Sequence, residues 1–111
     1  MKTTYLSGKT ERILDNNITY FKSGLKLIHK QMQSVRSVAI GVMFAVGSAS
    51  ENDENNGISH FIEHMMFKGT NKRSAFDIVC EVDGLGAQIN AFTSKQSTCY
   101  YTISVDEYAE N

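Results

Sequence analysis

Between residues 57 and 70, GISHFIEHMMFKGT, apolar side chains recur at Ile58, Phe61, Ile62, Met65 and Met66. That is the i, i+3, i+4, i+7, i+8 spacing of one face of an α-helix, so the stretch is predicted to be an amphipathic helix with this stripe buried. Asn55 or Asn56 can cap its start, and Gly69 can close its end in the left-handed conformation. A second helix is predicted from the cap residue Ser74 to about Gly84, with Phe76, Val79, Cys80 and Val82 packing one face on a sheet. The remaining apolar runs have strand character. Residues 18–21 and 25–29, separated by Lys22, Ser23 and Gly24, predict a hairpin. Residues 37–46, SVAIGVMFAV, are apolar without alternation and predict a largely buried central strand. GAQINAFT at 86–93 and TCYYTISV at 98–105, joined by SKQS, predict a second hairpin.

The expected fold is therefore α+β: a mostly antiparallel sheet with two helices, in the order ββ-β-α-α-ββ. Residues 1–17 are polar and mixed in charge, with Leu6, Ile13 and Leu14 as their only anchors, and read as a loosely held lead-in to the domain at 18–111. The final stretch, DEYAEN, reads as the first turn of a helix cut short, so the chain is expected to be part of a larger domain.

Composition narrows the partners. A chain of 111 residues holds one small domain, and its net charge of −1, with both signs spread along it, argues against nucleic acid. The first residues, MKTTYLSGKTER, lack the apolar core of a signal peptide, and no later run is long enough to span a bilayer. No membrane partner is expected, and the protein reads as soluble and cytoplasmic. Cys80 and Cys99 have neither metal-type nor redox-type spacing and read as free thiols. His29 reads as an edge residue of its strand.

The chemistry lies on the polar face of the first helix. Relative to His60, Glu63 projects about 60° to one side and His64 about 40° to the other, so all three share one narrow arc. Two imidazoles one turn apart can reach a single Zn²⁺ at about 2.0–2.1 Å each, with the carboxylate free to meet water beside it. The order H-x-x-E-H is the inverzincin signature. The acids of the preceding loop, GSASENDENN, read as loop solvation plus favourable charge at a helix N-terminus, although they suit a cationic substrate as well. Asp77, Glu81 and Asp83 read as a solvated helix face.

ENNGISHFIEHMMFKGT, followed by KRSAFDIVCEVDGLGAQINAFTSKQSTCYY, resembles the N-terminal catalytic segment of the pitrilysin or insulinase family of zinc peptidases, in the branch of the mitochondrial processing peptidase and its bacterial relatives. The likeness runs from about Leu14 to the chain end. It implies a metalloendopeptidase in which His60 and His64 bind Zn²⁺ and Glu63 is the general base. It further implies that the strand holding Asn90, Ala91, Phe92 and Thr93 binds the peptide substrate as an added strand. The family's third zinc ligand, a glutamate on a later helix, would fall beyond Asn111, so this chain alone is expected to be inactive. Family members enclose the peptide between two homologous halves or subunits, which implies such a partner. The alternative is a non-catalytic peptide-binding or scaffold subunit, but such subunits typically lack the intact motif.

Overall fold

The computed structural model describes residues 9–13 and 16–109. Leu6 and Leu14 of the expected lead-in, and the last two residues of DEYAEN, lie outside the described residues. Contacts divide the chain between Val35 and Arg36 into two units.

The first unit is a three-stranded antiparallel sheet of β1 (Lys9–Ile13), β2 (Asn16–Tyr20) and β3 (Lys26–His29), in that order. The expected hairpin is present as β2 and β3, with Ile18 opposite Ile28. Its turn closes through Phe21 N–H to Leu25 O at 2.9 Å, and Gly24 takes φ 87°, a left-handed value that favours glycine. The strand β1 falls within residues 1–17, which read as a lead-in. KTERI offers no apolar alternation, so its backbone pairing with β2 leaves no hydrophobic signature.

The second unit is a three-stranded antiparallel sheet, β4 (Ser37–Phe44), β6 (Thr98–Val105) and β5 (Gln88–Thr93), with α1 (Ile58–Met65) and α2 (Ala75–Gly84) between β4 and β5 in sequence. The fold class is α+β, as expected. The second hairpin is also present, in a register that sets Thr93 opposite Thr98.

Three expectations of burial fail, one of them on α2, where Phe76 is 73% exposed and Val79 54% and no residue of the helix is buried against the sheet. The central strand is β6, which pairs on both edges, while β4 lies at one edge of the sheet. Met43 on β4 is 65% exposed. The apolar run predicted a strand covered on both faces, but strand order depends on non-local pairing that a run of residues does not encode. The α1 stripe is also uncovered, with Phe61 58% exposed, and the buried residue of that helix is Ser59. Amphipathic spacing identifies the face that needs a neighbour; among the described residues no neighbour buries it.

Candidate metal centre

The position of α1 is set by the loop before it. After β4, Gly47 passes so close to the β5–β6 turn that a Cβ there would stand 2.3 Å from Ser94 O. Ser48 N–H then donates to Ser94 O at 3.1 Å and Ala49 N–H to Lys95 O at 2.8 Å. Thr98 Oγ1 donates to Val46 O at 2.9 Å on the same seam. A single 3-10 turn at Ser48–Ser50 carries the chain to Glu51.

Glu51 supplies acceptors for the amides at the start of α1. One carboxylate oxygen accepts from Gly57 N–H at 2.7 Å and the other from Ser59 N–H at 2.8 Å. These are amides of the first turn, which have no partners within the helix itself. Hydrogen bonds from the Ser59 side chain and then from the Gly57 and Ser59 amides hold the Glu51 carboxyl below its usual range. The expected caps do not serve: Gly57 is the N-cap, and no side-chain cap bond is made there. Asn55 instead accepts Asn52 N–H through its side chain at 2.6 Å, which closes the preceding turn. A carboxylate seven residues before the first residue of the helix reaches it only through the folded loop, so the local sequence carried no signal that singled out Glu51 from Asp53 and Glu54. Gly69 does have the expected left-handed φ, 114°, but α1 ends earlier, at Met65, with Met66 as C-cap.

On the helix so placed, His60 and His64 turn their rings toward each other. Their Nε2 atoms are 3.0 Å apart and their ring centroids 4.5 Å. Two imidazole nitrogens bound tetrahedrally at about 2.0–2.1 Å to one zinc ion stand about 3.3 Å apart, close to the separation seen here. The donor set suits zinc. Glu63 is partly buried and points elsewhere: its Oε2 accepts a hydrogen bond from Thr93 Oγ1 at 2.5 Å. The carboxylate is thereby tied to the sheet instead of to either ring.

Thr93 ends β5, which lies against α1. Asn90, Ala91, Phe92 and Thr93 all lie on this strand, whose second edge carries no partner strand among the described residues. Ala91 N–H donates to Asn90 Oδ1 at 2.8 Å, so that amide is engaged by its neighbour. A cavity of about 420 Å³ lies between α2 and the sheet, lined by Val79, Val82, Ile89 and Ile103 among others, and neither histidine nor Glu63 borders it.

The carboxylates of α2 have other work. Asp77 and Ser74 form a reciprocal capping box, in which the Ser74 hydroxyl and then its amide hold the Asp77 carboxyl below its usual range. Glu81 pairs with Arg73 Nε at 2.8 Å. Among the described residues no group of three His, Cys, Asp or Glu side chains converges on a point that would hold a metal ion. Cys80 is exposed and Cys99 buried, both as free thiols. No described helix is long and apolar enough to cross a membrane.

The site thus consists of two imidazoles facing each other one helical turn apart, with a carboxylate anchored to the neighbouring strand. Residues 26–111 match the family model described as Insulinase (Peptidase family M16), and the chain belongs to that family. It is 51% identical over 88 residues to the uncharacterized zinc protease YmxG of Bacillus subtilis (strain 168), a match that covers 79% of this chain and 22% of that protein. It is 44% identical over 88 residues to an uncharacterized zinc protease of Streptomyces coelicolor, covering 79% of this chain and 19% of the relative. Human mitochondrial-processing peptidase subunit beta is 40% identical over 87 residues, covering 78% and 18%. The chain thus spans about a fifth of the length of these relatives.

Proposed function

We propose that the chain carries the metal-binding and proton-transferring part of a zinc metalloendopeptidase. His60 and His64 are the metal ligands and Glu63 the general base. The observation that carries this reading is the 3.0 Å approach of the two Nε2 atoms beside a carboxylate held by Thr93. Zinc held by His60 and His64 would supply Lewis acidity toward water and a scissile carbonyl. Glu63 takes a proton from the attacking water and passes it to the leaving amine, the two halves of general acid–base catalysis.

The peptide lies along the open edge of β5, where Asn90, Ala91, Phe92 and Thr93 form the binding strand. Main-chain pairing at a sheet edge accepts diverse sequences and holds them extended, which is the form a peptidase cleaves. A third protein ligand, normal for catalytic zinc, comes from the longer protein, since Asp77 and Glu81 are committed to Ser74 and Arg73. The uncovered α1 stripe supports a covering neighbour, and a second homologous half or subunit encloses the substrate.

The complete protein is expected to hold one zinc per chain and to hydrolyse an unstructured peptide. Removal of zinc by a chelator abolishes hydrolysis, and re-addition restores it. Undiminished hydrolysis by protein shown to be metal-free would contradict the proposal.

A further inference from the structure

We propose that Thr93 is a positioning residue for Glu63: its hydroxyl fixes one carboxylate oxygen, Oε2, so that the other, Oε1, is presented to water. The inference rests on Glu63 acting as the general base. Glu63 is the residue of α1 that connects the helix to the end of β5 by a side-chain hydrogen bond, and Thr93 Oγ1 is the donor.

A free glutamate side chain has three rotatable bonds, and it loses that freedom only when something holds it. Beside His60 and His64 the freedom has a specific hazard. An untethered Glu63 carboxylate can swing toward the two rings, where it competes as a metal ligand. Bound through Oε2, it remains on the sheet side of the helix with one oxygen uncommitted.

The donor is itself well fixed. Thr93 lies opposite Thr98 in the β5–β6 register. The turn that follows is closed by Ser94 N–H to Ser97 O at 2.8 Å, and the loop from Gly47 is bonded to the same turn through Ser48 and Ala49. The segment that orients α1, through Glu51, is therefore fastened to the turn beside the residue that orients Glu63. Base and ligands are referred to one hydrogen-bonded corner of the sheet. This assigns the Thr93 side chain a role distinct from main-chain binding of the peptide, because its hydroxyl is directed to Glu63.

The test uses the complete, zinc-loaded protein with Thr93→Val, Thr93→Ser and Thr93→Ala. Loss of a hydrogen bond to a charged group is expected to lower kcat about 10- to 100-fold in the Val variant. KM and zinc content remain as in the parent, and Ser restores kcat because it keeps the hydroxyl. If Val does not yield folded protein, Ser and Ala, which differ only in the hydroxyl, give the same comparison. Three results would overturn the proposal: unchanged kcat without the hydroxyl, a rise in KM alone, or loss of zinc. Glu63→Gln is measured alongside. An active Glu63→Gln enzyme rejects the general-base reading itself, whereas an inactive one beside fully active Thr93→Val and Thr93→Ala rejects only the role of Thr93.

Discussion

In the complete protein, Glu63→Gln is expected to leave zinc near one per chain while turnover falls by about 10²- to 10⁴-fold, the usual cost of losing a general base. The separation follows from geometry. The Glu63 carboxylate is bonded to Thr93 and makes no hydrogen bond to either histidine, so the two Nε2 atoms keep their mutual approach of 3.0 Å without it. An amide at this position still accepts the Thr93 hydroxyl through its oxygen but cannot take a proton from water. Metal analysis and steady-state cleavage of the same preparation provide the measurement. Loss of zinc in the variant would make Glu63 a ligand, and near-normal hydrolysis would remove it from the mechanism.

Gly47→Ala is expected to destabilise the fold by about 3 kcal/mol or more, within the range seen for overpacking that the surroundings cannot relieve. Backbone conformation is not the cause, because Gly47 has φ −157°, which any residue adopts. The cause is contact. A Cβ would lie 2.3 Å from Ser94 O and 2.8 Å from both Lys95 C and Ser97 N, all backbone atoms of the β5–β6 turn. Relief requires the loop and turn to separate, which breaks the Ser48 and Ala49 hydrogen bonds and releases the segment leading to Glu51. Denaturant unfolding of the variant beside the parent measures the effect, and zinc affinity is expected to fall with it. An unchanged unfolding midpoint would show that the seam is not tight.

What could be read from the sequence was what depends on neighbours along it. The shared face of His60, Glu63 and His64 follows from helical period, and the structure brings the two rings together on α1. Ser74 was legible as a cap from its place just before the helix, and the structure adds Asp77, three residues on, as its partner. The strand pairs β2–β3 and β5–β6 were legible because a short polar turn joins each.

The misses share the opposite property. Glu51, and not the side chain of Asn55 or Asn56, accepts from the first amides of α1, through a loop anchored to residues more than forty positions away in sequence. The 37–46 run and the 98–105 run are both rich in β-formers, and only the pairing of β6 with both neighbours decides which is central. Thr93 reads as one residue of a binding strand until the fold brings its hydroxyl to Glu63, thirty residues earlier. The α1 stripe was correctly found as apolar, but its burial requires a partner surface, and amphipathic spacing does not say where that surface comes from.

The central claim is that His60 and His64 hold one zinc ion in the complete protein. X-ray absorption at the zinc edge tests it most directly, because imidazole ligands give a characteristic outer-shell scattering pattern. Two imidazole nitrogens at about 2.0–2.1 Å are expected, with that signal lost in His60→Ala and His64→Ala but kept in Glu63→Gln. A zinc shell without imidazole, or an unchanged shell in the two histidine variants, would contradict the claim.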